Sequence, residues 1–214
     1  MRVQNIQWLT GIIKGIMNKK ELADKIVVYN DFFDNPMIFM EEAKNIFNQF
    51  PKLNFKPATI NNHEYNTDLR SCTVFSLNTQ NIDHDSVFGI GSKKAKNNLN
   101  KLIDRKTFAC INDYMKEYNF STKYREPWEL LTYEQTQKLT WHSDHGEVHP
   151  CQVSFVYYFN DNYTGGEVEF KDYIGKPYKP NAGDLLIFPS SPDYIHRVLP
   201  IESGIKYNAI SFAR

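Results

Sequence analysis

The chain has 214 residues, 41% of them hydrophobic and 23% charged, which is typical of a globular protein. Its 25 Lys and Arg balance its 25 Asp and Glu, so the net charge of zero gives no general support for nucleic-acid binding. The sequence lacks an apolar run of about 18 residues and lacks a linker-like stretch, so we expect no membrane-spanning helix and a single domain over residues 1–214.

The three cysteines and the N-terminal segment bear on the compartment. Cys72, Cys110 and Cys151 are odd in number and widely spaced, which predicts reduced thiols. Residues 1–20 lack a signal-peptide core, so we expect a cytoplasmic protein. Apolar residues at positions 6, 9, 13 and 16 have helical spacing, which favours a helix packed on the domain over one lying on a membrane surface.

The front of the chain predicts helices with a few strands. The segment 35–50 is typical of a helix, with Asn35 as its N-cap and Pro36 at its first helical position. Residues 1–125 are therefore predicted to be mainly helical support with edge strands. The other elements predicted here are a buried strand at 25–33, a loop with at most one strand at 52–68, a strand at 71–78, and one long or two abutting helices at 93–120.

After Pro127 the sequence pattern becomes that of short strands separated by turns. Many short strands at regular spacing indicate an antiparallel sandwich or barrel. The whole chain is therefore predicted to be α+β, with residues 126–214 as an all-β module whose sheet the helices cover. The predicted strands are WELLTYEQT, QVSFVYYFN, EVEFKD, KPYKP, DLLIFP, HRVLP and KYNAISF, and the turns are DNYTGG, PNAG and ESG.

The stretch TWHSDHGEVHP, residues 140–150, contains a candidate metal site. In a strand, residues i and i+2 point to the same face, so His142 and Asp144 can present an imidazole and a carboxylate to one point. His196, at the start of HRVLP, is the candidate third ligand from another strand. Two histidines and one carboxylate form the facial triad of non-haem Fe(II) oxygenases.

The other histidines of this stretch are not expected to be ligands. His145 and His149 are spaced i, i+4 and would converge only on a helix, which Gly146 and Pro150 disfavour. We therefore place His145, Glu147 and His149 at the rim of the site.

The C-terminal half resembles a known family. The run HSD … YYFNDNYTGGEVEF … PNAGDLLIFPSSPDYIHRVLPIESGIKYNAISF is similar to the 2-oxoglutarate- and Fe(II)-dependent dioxygenases, and among them to the prolyl 4-hydroxylase type. The resemblance implies a double-stranded β-helix (jelly roll) with Fe(II) at one open end and 2-oxoglutarate as cosubstrate. His142 and Asp144 match the family's HxD motif, and His196 matches its distal histidine.

The resemblance also assigns cosubstrate residues. Lys206 stands where the family places the cation for the distal carboxylate of 2-oxoglutarate, and a compact ammonium suits that role. Tyr133 and Tyr158 match family tyrosines that help to hold 2-oxoglutarate, although core tyrosines with satisfied hydroxyls remain the alternative. Asn208 shares the strand face of Lys206 and is a further candidate.

Two residues are candidates for substrate contact. DLRSCTVF resembles the RTS stretch of prolyl hydroxylases near the peptide groove, so the resemblance implies that Arg70 contacts substrate; a plain surface arginine is the alternative. Trp141 adjoins a predicted ligand and is either an aromatic wall for substrate or part of the core.

The sequence departs from the prolyl hydroxylase pattern before the HxD motif. Thr136 replaces a glycine, and Leu139 replaces a tyrosine that lines the substrate side. The second change bears on peptidyl proline as substrate more than on the iron chemistry.

The leading hypothesis is therefore an Fe(II)- and 2-oxoglutarate-dependent dioxygenase that hydroxylates an unactivated C–H, with a prolyl residue in a peptide or protein as substrate. A hydroxylase of a free amino acid or other small metabolite is the alternative, and a jelly-roll binding module with a vestigial site is the non-enzyme alternative. Dioxygen is the second cosubstrate and ascorbate a candidate reductant. We expect a monomer without nucleic-acid or membrane partners.

Overall fold

The structure is a computed structural model, and it describes residues 18–30, 35–51, 53–59, 65–80, 87–147, 150–173 and 175–214. The predicted N-terminal helix lies outside the described residues, as do His63, His84 and His149.

The described front of the chain contains two helices and four strands. One of these strands, at Asn18–Ala23, was not predicted. The elements are β1 (Asn18–Ala23), β2 (Ile26–Asn30), α1 (Ile38–Gln49), β3 (Lys56–Pro57), β4 (Thr73–Ser76) and α2 (Val87–Glu117).

The regular elements described in the remainder of the chain are strands and one turn of 3₁₀-helix at Pro192–Tyr194. The strands are β5 (Glu129–Tyr133), β6 (Leu139–His142), β7 (Val153–Tyr158), β8 (Thr164–Gly165), β9 (Val168–Phe170), β10 (Leu185–Pro189), β11 (His196–Val198), β12 (Ile201–Ser203) and β13 (Lys206–Ala213).

The strands form one large sheet and two small ones. The large sheet has eight strands in the order β1-β2-β10-β7-β13-β5-β4-β3, all paired antiparallel. The small sheets are β6-β11-β9 and β12-β8. Because β2 pairs with β10 and β4 pairs with β5, the front of the chain and the C-terminal strands share the large sheet.

The two faces of the large sheet have different partners, and alternation along each strand decides which side chains go where. On β7, Phe155 and Tyr157 pack in the cluster that contains α1 and α2. The neighbouring Tyr158 packs on the opposite side, with residues of β9 and β10. The helices therefore cover one face, as the α+β prediction requires, and the other face is turned toward the small sheets.

Both helices differ from their predicted bounds. The N-cap of α1 is Met37 and not Asn35, because residues 35–37 form a turn in which the Asn35 carbonyl accepts from the Ile38 amide. Pro36 consequently lies before the helix. Helix α2 is one continuous element that begins at Val87, ahead of the predicted residue 93. Neither described helix has the length and apolarity needed to cross a bilayer.

The short strands were the least predictable elements. The predicted strand KPYKP is wrong, since only Tyr178 makes a bridge, to Val168. Two segments predicted as turns instead form β8 and β12, which pair Ile201 with Gly165. Strands of two or three residues carry too few side chains to show a period.

Candidate metal centre

His142, Asp144 and His196 come together between the small sheet β6-β11-β9 and the large sheet. His142 ends β6 and lies opposite His196, the first residue of β11, in an antiparallel pair. The Nε2 of His142 is 3.3 Å from Oδ1 of Asp144, and the Nε2 of His196 is 3.7 Å from Oδ2. One candidate ligand atom from each residue lies within 4.8 Å of the others.

The prediction that His142 and Asp144 share one face of a strand is wrong. Strand β6 ends at His142, and Asp144 lies in a bend after it, so the two do not share a strand face. Hydrogen bonds hold the bend instead: the His145 amide donates to the Ser190 carbonyl at 3.0 Å, and Ser154 Oγ donates to Asp144 Oδ2 at 2.6 Å.

His145 and Glu147 stay outside the cluster, as predicted. The ring of His145 is bonded through Nδ1 to the Cys151 carbonyl at 2.8 Å, which helps to pin the bend. Both residues are exposed. His145 therefore supports the loop that carries Asp144 without joining its ligand group.

The backbone fixes which nitrogen of each imidazole faces the carboxylate. Nδ1 of His142 lies 2.9 Å from the Thr140 carbonyl, and Nδ1 of His196 lies 3.0 Å from the Tyr194 carbonyl. A carbonyl can only accept, so Nδ1 carries the proton in each ring. Nε2 is therefore the nitrogen of each ring that would bind a metal, and this carbonyl contact is the usual support for a ligating histidine.

The charges of the cluster suit a divalent cation. Burial alone disfavours the carboxylate of Asp144, but His196 and His142 outweigh it and hold its pKa below the usual range. Burial lowers the pKa of His196 to about 4. Burial also disfavours the charged form of His142, yet its hydrogen bond to Asp144 raises its pKa. Near neutral pH the cluster therefore offers an anionic carboxylate and a neutral His196 ring.

Lys206 lies close to this cluster, at the start of β13 opposite Tyr133 of β5. Its side chain is 1% exposed, and Nζ donates to the Gly166 carbonyl at 2.7 Å. Three tyrosine rings surround the ammonium, with Nζ-to-centroid distances of 5.5 Å for Tyr133, 5.2 Å for Tyr158 and 5.9 Å for Tyr163.

Lys206 has no ion-pair partner among the carboxylates of the described residues, although the charge of Glu167 opposes the lowering of its pKa. No carboxylate of a described residue lies within the 4.0 Å of an ion pair, and burial, together with the charge of Lys179, lowers the lysine's pKa to about 7. Among the described residues, the buried hydroxyl of Tyr158 and the Oδ1 of Asn208 make no hydrogen bond. Unpaired buried polar atoms around a buried cation are expected where an anionic ligand binds.

One cavity connects the two groups. It is lined by the three clustered residues, by Lys206, and by the predicted cosubstrate residues Tyr133, Tyr158 and Asn208, with apolar walls. The apolar part includes Leu131, Leu139, Val156, Val168, Leu186, Phe188, Val198, Ile210 and Phe212.

The two candidate substrate residues have different positions. Arg70 lines the cavity, where Nη1 donates to the Thr59 carbonyl at 3.3 Å and Nε contacts Cys72 Sγ at 3.5 Å. Trp141 is 40% exposed and is absent from the lining, and the guanidinium of Arg197 lies 4.4 Å from its ring centroid. The structure thus brings Arg70, and not Trp141, to the cavity.

Four residues of the site were missed from sequence. Tyr163 and Gly166 lie beside Lys206, and Ser154 and Ser190 lie behind Asp144. For Ser154 a signal exists, because it alternates in phase with Tyr158 on β7 and so shares the face of the site.

Comparison with known proteins agrees with this geometry. Residues 128–214 match the family model described as the 2OG-Fe(II) oxygenase superfamily. A PKHD-type hydroxylase from Synechococcus sp. (strain JA-2-3B'a(2-13)) is 32% identical over 74 residues, which cover 33% of this chain and 32% of the relative. The match to this curated relative thus spans about a third of its length.

Two solved structures share the fold. A prolyl hydroxylase from Trichoplax adhaerens, in complex with a peptide fragment of hypoxia inducible factor, aligns with a TM-score of 0.61 at 16% identity, covering 88% of this chain and 83% of that one. A prolyl-4-hydroxylase from Pseudomonas putida aligns with a TM-score of 0.61 at 17% identity, covering 87% and 91%. The antiparallel sheet with few helices is therefore similar to 2OG oxygenase folds, and the resemblance to 2OG-Fe(II) oxygenases of prolyl hydroxylase type is confirmed.

Proposed function

We propose that this protein is an Fe(II)- and 2-oxoglutarate-dependent dioxygenase that hydroxylates an unactivated C–H bond, with a prolyl residue of a peptide or protein as the leading substrate. One observation carries the proposal: the His142, Asp144 and His196 cluster lines the same cavity as the buried Lys206, which forms no ion pair with a described residue.

The donor set fits Fe(II). Two imidazole nitrogens and one carboxylate oxygen are the ligands of the facial triad, which leaves further coordination positions for ligands from outside the chain. Bound Fe(II) would supply the oxidative chemistry, in which R–H, dioxygen and 2-oxoglutarate become R–OH, succinate and carbon dioxide. The part played by His142, Asp144 and His196 is to hold the metal.

The rest of the cavity fits 2-oxoglutarate. The ammonium of Lys206 would pair with the distal carboxylate of the cosubstrate, and Tyr158 and Asn208 would supply the hydrogen bonds that the described protein leaves unmade around it. Tyr133 packs its ring beside the ammonium, at 5.5 Å from Nζ to the ring centroid. The apolar walls exclude water from the charged pair and strengthen the interaction.

The arrangement of the three sheets supports a jelly-roll core. We assign residues 126–214 to a double-stranded β-helix core, with the large sheet opposite β6-β11-β9 and β12-β8, and with the site between them. The large sheet also contains strands from residues before 126, which supports treating residues 1–214 as one domain.

Arg70 supports a second candidate function, the hydroxylation of a free amino acid or another small acid. Its guanidinium lines the cavity, and no carboxylate of a described residue lies within ion-pair distance of it. A substrate carboxylate could bind there in a bidentate manner. Leu139 also stands where prolyl hydroxylases have a substrate-side tyrosine, so the second candidate is kept beside the first. Retention of a complete donor set and of Lys206 argues against a binding module with a vestigial site.

The substrate panel is the test. Purified protein with Fe(II), ascorbate and 2-oxoglutarate is incubated with proline-rich peptides and, separately, with free amino acids, and each substrate is scored by a mass gain of one oxygen. Hydroxylated peptide supports the first candidate and hydroxylated free amino acid supports the second. A protein that turns over no 2-oxoglutarate with either set and binds no divalent metal would refute both.

A further inference from the structure

A pair of buried serines lies directly behind Asp144. Ser154 Oγ is 2.6 Å from Asp144 Oδ2 and 2.7 Å from Ser190 Oγ, and both serines are 1% exposed. Ser154 lies on β7, and Ser190 follows the last residue of β10, the neighbouring strand of the large sheet. The pair therefore connects the bend that carries Asp144 to the buried strands of the large sheet.

The direction of the two hydrogen bonds follows from their chemistry. An ionised carboxylate can only accept hydrogen bonds, so the Ser154 hydroxyl donates the hydrogen bond to Asp144. The oxygen of Ser154 is then left to accept, and the proton of Ser190 points toward it. The resulting chain runs from Ser190 through Ser154 to Oδ2, and the 2.6 Å distance is that of a charge-assisted bond.

The chain makes the two oxygens of Asp144 unequal. Oδ2 accepts from Ser154 and lies 3.7 Å from the Nε2 of His196, whereas Oδ1 lies closer to a candidate ligand, at 3.3 Å from the Nε2 of His142. We propose that Ser154, oriented by Ser190, is a positioning residue that fixes Asp144 as a one-oxygen metal ligand through Oδ1. This inference rests on the proposed function, since it takes the cluster to be a metal site.

Position in the chain explains why Asp144 needs such support. Because β6 ends at His142, the carboxylate residue has no ladder partner of its own. The backbone bond from the His145 amide to the Ser190 carbonyl sets the path of the bend, at 3.0 Å. The Ser154 hydroxyl sets the rotation of the carboxylate, which that backbone bond cannot do. Ser190 contributes to both contacts.

The test measures metal affinity without turnover. Mn(II) binding to the full chain, in the presence of 2-oxoglutarate and without dioxygen, is titrated by calorimetry for wild type, Ser154→Ala, Ser154→Cys and Ser190→Ala. The cysteine variant fills the same space but is only a weak donor, so it separates a lost hydrogen bond from a cavity. Ser211→Ala is the matched control, because Ser211 is also 1% exposed on the large sheet but donates to the Glu126 carbonyl.

The proposal predicts a rise of about 10- to 100-fold in the Mn(II) Kd for Ser154→Ala and for Ser154→Cys, with a smaller rise for Ser190→Ala and none for Ser211→Ala. Wild-type affinity in Ser154→Ala, or its recovery in Ser154→Cys, would overturn it. Should Ser154→Ala fail to fold, the Ser190→Ala titration decides in the same way. A wild type that binds no Mn(II) would instead refute the metal site on which the inference rests.

Discussion

His142 and His196 face each other across the β6–β11 pair, with their ring centroids 4.2 Å apart. Their separation in sequence is bridged by strand register, since the last residue of one strand meets the first residue of the other. Both Nε2 atoms point toward Asp144 because backbone carbonyls hold both Nδ1 atoms. The candidate metal centre is thus built by the sheet, and the HxD motif supplies only part of it.

Removal of the carboxylate tests the ligand assignment. Asp144→Ala should lower metal-dependent succinate formation by more than about 100-fold, because loss of a ligand costs at least as much as loss of its supporting contacts. Glu147→Ala is the matched control, since Glu147 is an exposed acid of the same loop outside the cluster. Equal loss in both variants would show that the loop, and not the ligand, is responsible.

Neutralisation of the buried lysine tests the cosubstrate site. Lys206→Met keeps the length and removes the charge, so the KM for 2-oxoglutarate should rise about 30-fold or more, as expected when one partner of a buried ion pair is lost. Lys171→Ala, which changes an exposed lysine, should leave the KM unchanged. An unchanged KM in Lys206→Met would mean that the cosubstrate carboxylate binds elsewhere.

The lowered pKa of Lys206 predicts a pH dependence for cosubstrate binding. Burial lowers that pKa to about 7 from 10.5, so at higher pH the lysine must take up a proton when 2-oxoglutarate binds. The apparent KM for 2-oxoglutarate should therefore rise about tenfold per pH unit above the pKa. Lys206→Arg, which stays charged, should flatten the profile.

A rise in pH weakens cosubstrate binding but stabilises the ligand-free fold. In the ligand-free protein, between pH of about 7 and 10.5, the unfolded chain binds the proton that buried Lys206 has lost. The contribution of Lys206 to the free energy of unfolding therefore rises with pH across this window. Urea titrations of wild type and Lys206→Met, compared across the same range, measure that contribution by difference.

Much of the site was predictable because strand alternation and motif spacing are local signals. Phe155 and Tyr157 against Ser154 and Tyr158 follow the period of two that puts one set on the helices and the other on the site. The layer plan and the metal cluster follow from such patterns. Arg70, a candidate substrate residue, also lines the cavity.

What sequence could not supply is the long-range part. The bend at Asp144 depends on Ser190, a residue of another strand end, so the strand argument reached the right neighbour for the wrong reason. Trp141 is next to the candidate ligand His142 in sequence. Adjacent residues of a strand point to opposite sides, so Trp141 lies away from the cluster, where it meets Arg197. Such contacts depend on register, which no local pattern specifies.

The backbone conformation of Thr136 predicts that the substitution Thr136→Gly stabilises the protein. Its φ of 70° lies in the left-handed region, which costs a β-branched residue about 1–2 kcal/mol. The side chain is exposed, so Thr136→Gly loses no packing. The hydrogen bond from the backbone amide of residue 136 to the Ile201 carbonyl is kept. After the added chain entropy of glycine, about 0.5–1 kcal/mol, the Tm should rise by about 2 °C.

Thr136→Ala is the control for that change, because it removes the branched side chain but retains Cβ and its strain. Thermal unfolding of the three proteins under one condition is the measurement. A glycine variant less stable than the alanine variant would show that the strain is absent.

The central claim is that the cluster and Lys206 together run an oxidation of 2-oxoglutarate. Its most direct test supplies Fe(II), ascorbate, 2-oxoglutarate and ¹⁸O₂ to the purified protein and measures succinate by mass spectrometry. Wild type should form succinate that carries one ¹⁸O atom, and Asp144→Ala should lose this product. Succinate formation no greater in wild type than in Asp144→Ala, over the whole substrate panel, would contradict it.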